Sequence, residues 1–187
     1  GPRTSEFGEA WARRVGMSVG AVALNVIAKA EFTADAPLGI ASETLALPIR
    51  DLANSDEELV KREAPGIGLG SNDEAFLKEA AIIRAMKAQS PTVNAEVQAM
   101  RIGSVGIVSN ASEYFCQFGL DIKRSSPWKP TMVVELANGC CGYVGTNEAF
   151  LGGGYEVRTA RASYLTADAG YRIADTSVRL LCQLANK

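Results

Sequence analysis

The stretch Val105–Ala137, VGIVSNASEYFCQFGLDIKRSSPWKPTMVVELA, decides the fold. Val105 to Val108 is short and β-branched, which reads as a strand. Ser109-Asn110-Ala111-Ser112 then switches the chain into a helix from about Glu113 to Lys123. A Ser-Ser-Pro-Trp turn leads into Thr131–Ala137, where Val133 and Val134 mark a buried strand. Strand, helix and strand with connections this short predict a βαβ unit at about 105–137 with parallel strands. The fold class is therefore α/β, with α+β as the alternative, built on a mixed sheet between long N- and C-terminal helices.

Upstream, Val93–Ile102 alternates in polarity and meets Val105 through Gly103-Ser104, a hairpin turn. Leu38–Arg50 alternates too, Leu45, Leu47 and Ile49 against Thr44, Ala46 and Pro48. Pro48 cannot donate to a ladder, so this strand lies at an edge. Asp73–Ala88 places Phe76, Ala80, Ile83 and Met86 on one helical stripe. Asp51–Asn72, polar and broken by Pro65, Gly66, Gly68 and Gly70, is a surface excursion with at most a short helix. Thr4 or Ser5 caps an opening helix with Glu6 and Glu9 in its first turn. Trp11, Val15, Val19, Val22 and Val26 then recur at helical spacing to about Ala30. Downstream, Asn138–Gly154 is a loop rich in small residues. Thr159–Leu184 reads as a final helix carrying Leu165, Ala169, Ile173, Leu180 and Leu184. With no repeat or charge block, residues 1–187 read as a single unit.

A chain of 187 residues can bury a core of ordinary size, and 47% apolar with 21% charged residues is a globular balance. A net charge of −2 carries no electrostatic footprint for nucleic acid. The longest apolar run, around Gly20–Ala28, is interrupted by Asn25 and is too short to span a bilayer. No leader pattern opens the chain. The most informative count is the absence of histidine. This chain alone builds no Ser-His-Asp triad, no Cys-His dyad and no imidazole-ligated zinc site. Gly1 offers no side-chain nucleophile, which disfavours an N-terminal-nucleophile hydrolase. Cys116, Cys140, Cys141 and Cys182 lack CxxC spacing and read as free buried thiols.

Parallel strands present ligands beyond their carboxyl ends. Two segments lie there, Ser109–Tyr114 and Asn138–Tyr155, and should share a crevice. The first offers Glu113; the second offers Tyr143 and Tyr155. Each has a plainer role: Glu113 as a first-turn helix acid behind a Ser112 cap, and Tyr143 as a packed aromatic with its hydroxyl satisfied. Cys140-Cys141 without a base favours a buried structural role over a nucleophile. Gly152-Gly153-Gly154 lacks the Lys and Ser/Thr of a phosphate loop. Lys123-Arg124 and the Arg158/Arg161 pair read as solvating helix ends.

Arg101-Ile102-Gly103, an acidic Ser112-Glu113-Tyr114 turn, Asn138-Gly139-Cys140-Cys141-Gly142-Tyr143 and Gly154-Tyr155-Glu156 follow one another in an order and spacing that resemble the neutral/alkaline non-lysosomal ceramidases. The likeness is to the C-terminal part of that family's catalytic domain. It is densest from Met100 to Glu156. The opening Gly1-Pro2-Arg3 ahead of a long Ala-rich helix also resembles the stretch just after that domain's Gly-Asp-x-Asn-Pro-Arg-like segment. Where the family usually reads Pro-Gly-Glu or Pro-Ala-Glu at its acid, this chain reads Ala111-Ser112-Glu113.

The resemblance implies a zinc-dependent amidohydrolase of sphingolipid metabolism, cleaving the amide of ceramide or another N-acyl amide by attack of zinc-bound hydroxide. By motif position, Glu113 and Tyr143 would be metal ligands and Tyr155 the donor to the oxyanion. The remaining two zinc ligands would be histidines of an upstream half, present as a separate chain or a missing segment, so this chain alone would not be competent. A secreted or membrane-associated location is implied too. The alternative is a non-catalytic α/β binding or structural subunit without a metal site.

Overall fold

A computed structural model of the chain describes residues 7–32, 34–53, 55 and 73–186. These divide into two units, one running to Ala36 and one from Pro37 onward. The first is essentially one helix, α1 (Glu9–Lys29), which buries none of its side chains. It opens on Gly8 with no side-chain cap, while Glu9 and Lys29 complement the helix dipole at its two ends. Thr4, Ser5 and Glu6, the expected cap and first-turn acid, lie outside the described residues. So does nearly all of the expected 51–72 excursion.

The second unit is organised by a four-stranded sheet in the order β1 (Leu38–Pro48), β2 (Thr92–Ile102), β3 (Val105–Asn110), β5 (Thr131–Val134). β1, β2 and β3 are antiparallel neighbours, whereas β3 and β5 run parallel with Gly106 opposite Thr131 and Ser109 opposite Val134. The sheet is mixed and the βαβ unit is present, its crossover being α3 (Cys116–Ser125). β1 is an edge strand, as Pro48 requires. Gly106 has a steric reason: a Cβ there would lie 2.7 Å from the Trp128 indole, which donates its N–H to the Leu181 carbonyl at 3.1 Å.

One face of the sheet buries Leu45, Leu47, Val97, Ala99 and Val108 against α5 (Ala169–Ala185), which contributes Ile173, Leu180, Leu181 and Leu184. Phe118 and Ile122 of α3 join the same core. α2 (Asp73–Gln89) buries Phe76, Ala80 and Ile83, three members of its expected stripe.

Four expectations are corrected. β5 is the other edge, and Met132 and Val134 are exposed rather than buried. The last helix starts at Ala169, not Thr159; in the preceding segment the Ser163 and Tyr164 carbonyls accept from Arg50. The crossover helix starts at Cys116, not Glu113: Glu113 and Tyr114 form a two-residue strand, β4 (Glu113–Tyr114), paired in parallel with β6 (Tyr143–Val144). Ser112 consequently does not cap the helix. Its hydroxyl and its N–H both donate to the Asn110 side-chain oxygen. The small-residue loop likewise contains structure, namely β6 and α4 (Asn147–Gly152), with Thr146 as its cap.

Among the described residues no helix is long and apolar enough to cross a membrane.

Candidate active site

The chain segments leaving β3 and β5 are joined by their own backbones. Ala137 donates to the Asn110 carbonyl at 2.9 Å, Leu136 to Ser112 at 3.1 Å and Cys141 to Ala111 at 2.7 Å. The Glu113 N–H donates to Gly142 at 2.9 Å and that of Phe115 to Val144 at 3.3 Å. This zip puts Glu113 directly beside Tyr143. Gly142 permits it: its φ is +75°, and a Cβ there would collide with the Ala162 carbonyl. Left-handed backbone without room for a side chain is a position for glycine alone.

The Tyr143 phenol lies beside the Glu113 carboxylate, its partner across the strand pair. The interaction with Glu113 is the main reason the phenol holds its proton more tightly than usual; desolvation and the nearby charges of Glu113, Tyr155 and Glu156 add to it. The Tyr143 and Tyr155 rings meet edge to face with centroids 6.1 Å apart. Tyr155 is 60% exposed. All three residues singled out in the sequence thus gather at one place, linked through Tyr143. Both tyrosines line a cavity of about 210 Å³, with Phe76 and Glu79 from α2 and Arg158, Thr159, Ala160, Ala162 and Ser163 from the segment after Tyr155.

That segment is held from three sides. The Arg50 guanidinium donates to the Val157 carbonyl at 2.9 Å and to the Ser163 carbonyl. The Tyr143 N–H donates to Ala162 at 2.6 Å, and the Arg50 N–H to Tyr164 at 2.9 Å. Arg161 grips the Glu79 carboxylate through Nε at 3.0 Å and Nη2 at 2.8 Å, and its backbone N–H donates to the same group at 2.8 Å. These bonds hold the Glu79 carboxyl below its ordinary value. Arg158 lies over the Phe76 ring at 5.6 Å. Neither arginine solvates a helix end, contrary to expectation. Arg50 and the Glu79–Arg161 pair went unnoticed in the sequence, where nothing local signals a contact spanning 82 to 113 positions.

The thiols divide. Cys141 is buried, and burial, with Cys140 beside it, pushes its thiol up to about 11. It is protonated at neutral pH and packs as a small apolar group. Cys116 and Cys140 are exposed and Cys182 is half-buried, so the expectation of four buried thiols is corrected. Among the described residues, no three of the Cys, Asp and Glu side chains converge as a metal-binding group.

No protein-family model matches the sequence, and no curated protein does. Among solved structures, the fold is similar to that of neutral ceramidase from Pseudomonas aeruginosa, with a TM-score of 0.59 and 16% identity over 99% of this chain and 34% of that one. It is similar also to a ceramidase complexed with C2, at TM-score 0.56 and 12% identity over 93% of this chain and 34% of the other. The chain spans about a third of the length of each. At such identities the likeness is one of fold, and it meets the resemblance carried by the motifs between Met100 and Glu156.

Proposed function

We propose that this chain is the later part of the catalytic domain of a zinc amidohydrolase of the neutral-ceramidase type, acting on a lipid-like or other N-acyl amide. Glu113 and Tyr143 would hold the metal, with two histidines contributed by an upstream segment or partner chain, and Tyr155 would serve the oxyanion. The observation that carries this reading is the pairing of Glu113 with Tyr143. An acid and a phenol are register partners on neighbouring strands, next to a cavity that a second phenol lines.

The donor set fits. A carboxylate and a phenol are hard oxygen donors, and with two neutral imidazoles they would complete a zinc site. When bound, the cation would supply Lewis-acid polarisation of the amide carbonyl and acidify a nucleophilic water. The chain's own residues do the rest. Tyr143 must give up its proton to become a ligand, and Glu113, its strand partner, is the nearest base to take it. Tyr155, solvent-facing, can donate a hydrogen bond to an oxygen on which negative charge develops; loss of such a donor costs about 10²–10³ in rate. Two oxygen ligands without imidazole are half a site, so the isolated chain should hold zinc poorly.

The test is Glu113→Gln in the protein joined to its histidine-bearing part. Zinc content and N-acyl amide hydrolysis should both be lost, while Tyr155→Phe should keep the metal and lose only rate. Full activity with normal metal content in Glu113→Gln would rule the assignment out. In the isolated chain the same substitution removes the charge that holds the Tyr143 proton, so that phenol should titrate at lower pH, read by phenolate absorbance.

A further inference from the structure

The cavity beside the two tyrosines has a polarity that the metal assignment does not use. Its floor is apolar, with Phe76 from α2 and Ala160 and Ala162 from the loop. Two arginines stand three residues apart on that loop, and they differ. Arg161 is neutralised by the bidentate grip on Glu79, the one carboxylate among the described lining residues. Arg158 also lines the cavity, and its guanidinium lies over the face of Phe76, an arrangement that leaves the edge donors of the planar group available. Among the described residues no carboxylate is paired with it. It shares a turn with Tyr155, the Arg158 N–H donating to the Tyr155 carbonyl at 3.3 Å, and Arg50 anchors that turn through the Val157 carbonyl. One turn thus presents a phenol and a guanidinium to a single small cavity with an apolar floor.

From this we infer that Arg158 is a specificity-determining residue that recognises a carboxylate attached to an apolar chain. A planar guanidinium and a neighbouring phenol O–H form a donor set for a carboxylate, and Phe76 with the two alanines accepts the chain next to it. The inference rests on the amidohydrolase reading for its location and extends that reading to the ligand's charge. Two sources supply the same chemistry. The carboxylate is the acyl product set free when the amide is cut, or it is a fixed second group on the substrate, as in an N-acyl amino acid.

The experiment is direct binding to the full chain, without metal, of three probes: octanoate, octanamide and N-octanoylglycine, followed by tyrosine NMR shifts. Octanamide has the chain without the charge, so a carboxylate site binds it about tenfold or more weakly than the better of the other two, the scale of one charge-assisted bond. Preference for octanoate assigns Arg158 to the acyl product; preference for N-octanoylglycine assigns it to a second group on the substrate. In either case Arg158→Gln should abolish the preference and Arg158→Lys should restore part of it, with the fold checked by circular dichroism. Equal binding of the amide and the carboxylates, no binding of any probe, or a preference that survives Arg158→Gln overturns the inference. Glu113→Gln should leave the preference intact, so failure of the metal assignment and failure of the carboxylate site give different results.

Discussion

The sheet with α3 and α5 and the loop cluster from Leu136 to Leu165 are built on opposite principles. The first is held by volume. Phe118 is 1% exposed, stacks on Tyr114 at 4.8 Å, meets Tyr171 edge-on at 5.1 Å, and sits where any side chain at Gly170 would collide with it. The second is held by direction. Its ties are the backbone zip between residues 110–115 and 136–144, the carbonyls gathered by Arg50, and the Arg161–Glu79 fork. Close-packed apolar contact tolerates the loss of one polar atom and fails when a void opens. A hydrogen-bonded loop cluster behaves the other way. The candidate site belongs to the second kind, resting on the rim of the first, which suits a place where side chains must be aimed rather than merely enclosed.

Two substitutions probe that contrast. Phe118→Ala opens a void in the packed body and should lower the stability of the second unit by about 3–5 kcal/mol. Denaturant unfolding should show a lower midpoint, with sheet and loop lost together. Arg50→Met keeps the bulk of the stem but removes the charge-assisted bonds to Val157 and Ser163, worth about 1.5–3 kcal/mol each where fully buried and less at this partly buried site. Its signature should be local. Hydrogen exchange should speed up in 155–165 and the Tyr155 NMR environment should change, while amides of β2 and β3 keep their protection. If Arg50→Met loosens the sheet as much as the loop, the two regions are one cooperative unit and the contrast fails.

The same division governs what the sequence discloses. Alternation in Leu38–Pro48 and Thr92–Ile102 and the strand-helix-strand rhythm of 105–134 are local patterns, and each corresponds to an element of the structure. Glu113 could not be placed this way. Asn110-Ala111-Ser112 ahead of an apolar run reads as a helix cap, yet Asn110 closes on Ser112 and lets Glu113 pair with a strand thirty residues on. A two-residue strand has no period to detect. Thr159–Asp168 was expected to be helical for a related reason. Its composition permits a helix, yet its Ser163 and Tyr164 carbonyls accept from Arg50, more than a hundred residues away in sequence. Glu113, Tyr143 and Tyr155 stand out by their place beyond the strand ends and by the family pattern rather than by periodicity, and their convergence depends on contacts no short window contains.

The smallest expected effect separates the regions by pH. Arg161's bonds hold the Glu79 carboxyl below its ordinary value of 4.5, so the folded state favours the ionised form. A lowered carboxyl contributes stability above its unfolded value and loses it as pH falls through the folded one. Arg161 is mostly exposed, so water and salt screen the pair and its contribution is small. Glu79→Gln should therefore be slightly less stable than the parent at neutral pH, and the gap should close well below the ordinary carboxylate range. A gap that persists in acid would mean that Glu79 acts by packing, and the loop cluster would then share the logic of the body. The substitution has a second consequence, of opposite sign. It removes the one carboxylate among the described lining residues of the cavity and leaves Arg161 uncompensated near Arg158. Octanoate should then bind more tightly even as the loop holds less firmly, a combination that a purely structural salt bridge would not produce.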